Sequence, residues 1–293
     1  MELFGEPQTW ATYERSLDDI RILPIGDIQA GAPGCDLPLL KKYVDWGVSN
    51  NCWYIGLGDY CDSLSPSNKK TIEGVIPSLY DSARIMLDEA AQLQLDRLCK
   101  VLLPTKGRWL GILKGHHSYT FADGTTTESR LCNLLDARHA GYCTAILLPF
   151  RSGHLAENLV IWAHHGHGSG QTVAAPLNKL EKMTSSFFAD IYMMGHYSRY
   201  ATTTKPWINY EWRRKRHSIS WKSVDRHLVV TGSYMKGYEE GSKDAMGLPT
   251  GSYVERGMMS PLTLGSPLVT IRPRIVEGEI KLHIFTSCGD YWA

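Results

Sequence analysis

The stretch "CWYIGLGDYCD", residues 52–62, decides the fold. A short apolar run stops at glycine and gives way at once to two carboxylates, Asp59 and Asp62. A run of that length with a glycine stop reads as a buried β-strand rather than a helix. Four other stretches repeat the pattern. "IRILPIGDIQAG" (20–31) leads to Asp27 and Gln29, and "RWLGILKGHHS" (108–118) leads to His116 and His117. "NLVIWAHHGHGSG" (158–170) leads to His164, His165 and His167, and "ADIYMMGHYSR" (189–199) leads to His196 and Ser198.

Helical patterns lie between these runs. Residues 36–50 open with Asp36 as an N-cap and carry Pro38 in the first turn. Residues 80–103 give the clearest helix: Ala83, Leu87, Ala90, Leu95, Leu98 and Leu102 recur along one face, and Pro104 ends it. Residues 172–188 read as a weaker helix interrupted at Pro176. Alternation of strand and helix argues for an α/β fold. Ligands in such folds gather beyond the carboxyl ends of the strands, so one site can collect all five clusters.

Carboxylates and imidazoles at strand ends describe a divalent-metal site of mixed oxygen and nitrogen donors, suited to manganese, iron or zinc. Each residue also has a plainer reading. A lone Gly-Asp is most often a turn. Asp62 can cap the following segment or support a ligand from behind. His164 and His167 can be hydrogen-bonded neighbours of His165, with His167 the candidate for a substitute ligand. Cys61 reads as a small buried residue.

The chain has 293 residues, 43% hydrophobic and 21% charged, with a formal net charge of +1. No global field demands an acidic partner, so a polyanion would need a local patch. The seven cysteines are odd in number and form no C-x-x-C pair, which excludes a disulfide framework and a zinc ribbon. A reducing compartment follows as the expectation. "MELFGEPQTW" lacks the basic and apolar regions of a signal peptide, and no apolar run approaches the ~20 residues of a membrane span. The expected location is the cytoplasm, that of a host if the chain is phage-encoded.

The motif order GD, GD-x-x-D, GHH, HG and GH resembles the calcineurin-like metallophosphoesterases, whose usual pattern is D-x-H, GD-x-x-D/N, GNH-D/E, H and GH-x-H. The resemblance covers roughly residues 20–200. The tail "VVTGSYMKGY…GLPTGSY…GSP" is similar to phage and prophage members. The resemblance implies a four-layer sandwich of two mixed sheets flanked by helices. It also implies a two-metal site and in-line attack of a metal-activated hydroxide on a phosphate ester. Asp59 matches the bridging carboxylate and Asp27 a ligand of the first metal. His116 takes the place of the usual asparagine on the second metal, and His165 and His196 match that metal's histidines. His117 matches the histidine on the leaving-group side. Manganese is the expected metal, with iron, zinc, magnesium or nickel as alternatives.

Two departures fall on the first metal. Gln29 and Ser198 stand where histidines are usual, which makes that shell richer in oxygen, harder and weaker. Ser118 replaces the usual acidic residue beside His117, which is expected to loosen its orientation. The alternative reading is therefore a degraded phosphoesterase scaffold that binds nucleic acid or protein. An amidohydrolase barrel is set aside, because "HGH" arrives past mid-chain rather than on a first strand.

Beyond residue 200 the texture becomes basic and aromatic. "WRRKRHSISWK" (212–222) places Arg213, Arg214, Lys215 and Arg216 between Trp212 and Trp221. This is either a solvated loop or a contact for DNA or RNA, by charge and stacking. Residues 1–293 are expected to form one domain, with a basic, aromatic insertion at about 203–226 and a Gly/Pro-rich loop at about 237–267. The strands of the tail, with "EGE" as their turn, are expected to complete it.

Overall fold

A computed structural model describes residues 17–63, 74–213, 218–244 and 246–289. The sequence motifs sit on β1 (Ile20–Ile25), β2 (Trp53–Gly56), β3 (Trp109–Ile112), β5 (Leu155–His164) and β6 (Ile191–Met194). The remaining strands are β4 (Cys143–Ser152), β7 (Ala201–Arg213), β8 (Ser218–Val230), β9 (Leu268–Val276) and β10 (Glu279–Ser287). They form two five-stranded sheets, ordered β10-β9-β1-β2-β3 and β4-β5-β6-β8-β7. Both are mixed. In the first, β1, β2 and β3 run parallel, β9 is antiparallel to β1, and β10 is antiparallel to β9 at the edge. In the second, β5, β6 and β8 run parallel between antiparallel edges β4 and β7.

Alternation along the strands assigns the layers. Ile22, Ile55, Ile191 and Met193 point into a core between the sheets, where they meet Ile146, Leu148, Phe150, Ile161 and Val229. Leu23, Ile25 and Tyr54 point the other way. They pack on α1 (Leu37–Ser49), α2 (Asp81–Leu102) and α3 (Thr127–Leu135) through Leu40, Val44, Leu95, Leu98 and Leu131. On the far side, α4 (Ala174–Met183) buries Leu180 against Trp162, Tyr192, Leu228 and Val230. The result is the expected sandwich: helices, sheet, sheet, helix.

The first two predicted helices appear within a residue of their expected ends. Asp36 caps α1 by accepting from the Leu39 N–H at 2.9 Å. The third is corrected: Pro176 does not interrupt α4 but sits in its first turn, where an N–H has no intrahelical partner to lose. Elements β4 and α3 have no counterpart in the sequence reading, and a short helical turn interrupts the stretch read as a Gly/Pro-rich loop. The tail returns as β9 and β10 on sheet one, joined by Glu277 (φ 54°) and Gly278 (φ 79°). Positive φ at both residues is the tight hairpin turn that suits strand twist. Between β8 and β9 the described chain holds one helical turn, α5 (Tyr253–Arg256). No helix among the described residues is long and apolar enough to cross a membrane.

Candidate metal centre

Asp27, Asp59 and His116 follow β1, β2 and β3 of the first sheet, while His165 and His196 follow β5 and β6 of the second. The parallel strands end at one seam, so five chain-distant motifs meet there. One donor atom from each of Asp59, His116, His165 and His196 lies within 4.8 Å of the other three. His165 Nε2 is 2.9 Å from His116 Nδ1, which is 3.2 Å from His196 Nδ1. His165 Nε2 is 3.5 Å from Asp59 Oδ1.

The outer hydrogen bonds fix the tautomers. His165 Nδ1 lies 2.6 Å from the Leu57 carbonyl, and His196 Nε2 lies 2.8 Å from the Gly168 carbonyl. A carbonyl only accepts, so each of these nitrogens is the N–H. His165 Nε2 and His196 Nδ1 therefore present lone pairs inward, both at His116 Nδ1, which can donate one proton at most. Converging lone pairs beside a carboxylate, with the opposite nitrogens tied to backbone oxygens, are what a divalent ion needs. The donor set fits the metal that the sequence implies.

Asp27 adjoins this cluster. Its Oδ2 accepts the His196 N–H at 2.7 Å, and its side chain is buried. Burial and the Asp59 charge push its pKa well up. Burial opposes ionisation of Asp59 too, but His165, His117 and the His117 N–H, 2.9 Å from Oδ1, hold it below its usual value. A cation beside these two buried carboxylates would favour the ionised form of both. Gln29 is also buried, and its Oε1 has no hydrogen-bond partner among the described residues. An orphaned amide oxygen costs free energy unless something donates to it or coordinates it. Burial, then His165 and His196, take the His116 pKa down to about 4, and burial lowers that of His196.

The backbone is strained where these side chains turn inward. Asp27, Gln29, Asp59, His196 and Ser198 all have φ between 49° and 73°. Non-glycine residues in that region cost on the order of 1 kcal/mol or more each, and they cluster at functional sites.

The other predicted residues stand around this centre. His117 Nδ1 is 3.3 Å from the Asp62 carbonyl and 3.4 Å from Asp62 Oδ1. His164 turns away: Nδ1 accepts the Gly166 N–H at 2.7 Å, and its ring stacks on Trp162. His167 is exposed, with its ring centroid 5.6 Å from that of His116. Its carbonyl accepts from Lys179 Nζ and from Tyr197 OH. The Ser198 carbonyl accepts the Thr263 N–H at 3.2 Å. Trp221 is 77% exposed on β8, and Trp212 and Arg213 end β7. Arg214, Lys215 and Arg216 lie outside the described residues.

One residue was missed. Glu128, fully buried at the start of α3, accepts 2.5 Å from Ser118 Oγ and 3.2 Å from Thr127 Oγ1. It anchors the turn that carries His116 and His117. The signal was the cap "TTES": Thr126 and Ser129 form a reciprocal capping box that starts the helix and places Glu128 within it.

Fold and site together define an α/β sandwich with a histidine–carboxylate cluster at the seam of its sheets. No protein-family model matches the chain, and no curated protein does. Among solved structures it is similar to zinc-complexed Vps29 from Entamoeba histolytica, with 11% identity over 91% of this chain and 99% of that one, TM-score 0.35. A predicted phosphoesterase from Streptococcus pneumoniae aligns at 13% identity over 92% and 99%, TM-score 0.31. GAP50, the anchor in the inner membrane complex of Plasmodium, aligns at 12% over 93% and 90%, TM-score 0.41.

Proposed function

We propose that the chain is a divalent-metal-dependent phosphoesterase acting on phosphodiesters, with nucleic acid as its substrate class. The observation that carries this is the pair of inward lone pairs on His165 and His196, beside Asp59. Asp59, His116, His165 and His196 would hold one ion. Asp27, Gln29 and the shared Asp59 would hold a second, with Ser198 as a further oxygen. The second set is all oxygen, which favours manganese or magnesium there. A divalent pair supplies Lewis acidity, drawing charge from phosphoryl oxygens and making water nucleophilic at neutral pH.

The chain's own residues do the rest. The acceptors of Asp62 hold His117 Nδ1 as an N–H and fix the ring. Its Nε2 is then the nitrogen left to hold or give a proton at the leaving oxygen. The His117 N–H, tied to Asp59 Oδ1, keeps that ring in register with the metal ligands. Ser118 and Glu128 fix the turn from behind.

The test is hydrolysis of a chromogenic phosphodiester by chelator-stripped protein, with and without manganese, beside Asp59→Asn. Activity should appear only with metal and fall at least ~100-fold in the variant, because the bridging charge is lost. Silence with every divalent metal would sink the enzyme and leave a scaffold that binds nucleic acid or protein.

A further inference from the structure

His196 turns Nδ1 to the metal centre because the Gly168 carbonyl accepts from its Nε2 at 2.8 Å. That carbonyl belongs to "HGHGSG" (165–170), a loop with three glycines, of which Gly166 and Gly168 have φ of 105° and 104°. Residues 167–169 are exposed. Glycine gives the backbone its widest conformational freedom, so the loop's own sequence does not hold Gly168 against His196. A metal-binding histidine is oriented by the acceptor behind it. Here that acceptor has to be pinned from elsewhere in the fold.

Two donors pin it at the preceding carbonyl. His167 O accepts from Lys179 Nζ and from Tyr197 OH, the latter at 3.0 Å. A carbonyl oxygen has two lone pairs, and two donors fill them, which fixes the peptide that leads into Gly168. The donors come from separate elements. Lys179 is on α4, while Tyr197 follows β6 and is 8% exposed, its ring edge-on to that of His196 with centroids 5.5 Å apart. A Cβ on Gly168 would lie 2.7 Å from Lys179 Nζ and 3.2 Å from Tyr197 OH, so both groups close over the glycine itself. The lysine is the less expected of the two. A surface ammonium ordinarily stays in water or meets a carboxylate. Lys179 has no ion pair among the described residues, and Glu181 of the same helix faces Lys205. Burial first, then His165, His167 and Lys179, lower the pKa of His164, which places this ammonium among the histidines. Through space a second cation opposes a metal ion. What Lys179 adds is a charge-assisted hydrogen bond, roughly twice as strong as a neutral one.

We infer that Lys179 and Tyr197 are positioning residues of the metal centre. By holding the His167 carbonyl they set the Gly168 carbonyl against His196 Nε2 and keep the Nδ1 lone pair turned inward. The effect on a bound ion rests on the metal centre of the proposed function; the effect on the His196 tautomer does not.

The experiment reads two quantities in the full-length protein. Long-range proton–nitrogen NMR of histidine-labelled, chelator-stripped protein at pH 7.5 reports which His196 nitrogen carries the proton. Titration calorimetry with manganese reports affinity. The unaltered protein should show His196 as the Nε2–H tautomer. Lys179→Met keeps the apolar stem and removes the donor. It should turn His196 into a mixture of tautomers and weaken manganese binding roughly 10- to 100-fold, the usual range for losing an outer partner of a metal ligand. Tyr197→Phe keeps the ring and should act in the same direction. Lys179→Arg keeps a charged donor and should recover most of both readouts. Lower thermal stability with tautomer and affinity unchanged would show that these residues hold only the fold, and would overturn the inference. Equal losses in Lys179→Met and Lys179→Arg would overturn it as well. An unaltered protein that binds no divalent ion would sink the metal reading alone, because the tautomer is read without metal and still tests the pin.

Discussion

At the scale of single residues the centre is a problem of space and charge. Gly115 precedes His116, and a Cβ there would fall 2.1 Å from Asp59 N and 2.2 Å from Asp59 Oδ1. Both atoms are fixed: the carboxylate by the His117 N–H, the backbone by a left-handed φ of 55°. Glycine is required for the close approach alone. Gly115→Ala should therefore push Asp59 from the cluster, cost about 1–3 kcal/mol as an overpacking change, and weaken manganese binding at least tenfold in titration calorimetry. Gly74→Ala, where no atom lies within 4 Å, is the control and should change neither. Undiminished metal binding in Gly115→Ala would show that the cluster tolerates displacement of Asp59. These residues were legible in the sequence because each closes an apolar run. Gln29 and Ser198 were legible as departures. The orphaned Gln29 Oε1 was not, because burial of a side chain after a turn depends on tertiary packing.

Secondary-structure elements were legible in proportion to their local signals. The strands β1, β2, β3, β5 and β6 are short apolar runs with glycine stops, and α1 and α2 carry a cap or a long periodic face. In contrast, β4 "CTAILLPFRS" alternates outward and buried positions from Cys143 to Leu148, but its outward Ala145 and Leu147 are apolar too, which hides the alternation in the sequence, so its pairing with β5 decides it. The nine residues of α3 are too few for a clear period, and its identity rests on the capping box. That box matters beyond the helix, because α3 carries Glu128, which holds the His116–His117 turn through Ser118. Thr126→Ala removes the acceptor for the Ser129 N–H and should cost about 1 kcal/mol in urea unfolding. Thr126→Ser should restore most of it. Equal losses in both variants would show that the methyl group, not the cap, stabilises the start of α3.

For the whole molecule, the centre joins the two sheets at the rim of the apolar core between them. Asp27, Asp59 and His116 come from the first sheet, and His165 and His196 from the second. A metal held by both should act as a cross-link of the native state, stabilising it by mass action. Its absence has a pH signature. Burial depresses the pKa values of His116, His164, His196 and His227, that of His116 to about 4. A histidine depressed in the folded state contributes stability above its unfolded value near 6.5. That contribution is lost as pH falls from 6.5 towards 4, because the unfolded chain takes protons the fold refuses. Asp27 has the opposite sign. Its raised pKa contributes stability at acid pH that is lost as pH rises through the folded value, so at neutral pH a cation beside it relieves a cost. The two effects converge on one experiment: thermal unfolding of chelator-stripped protein from pH 7.5 to 4.5, with and without manganese. Stripped protein should lose stability below pH 6.5 as the unfolded chain takes up protons on these histidines. An ion at about 100 times its dissociation constant should add about 2.7 kcal/mol at pH 7.5, and the gain should shrink as pH falls, because protons compete with the metal for its ligands. His196→Gln should abolish most of the gain. A gain that persists unchanged to pH 5, or survives that variant, would place the metal elsewhere and dissolve the link between the two sheets.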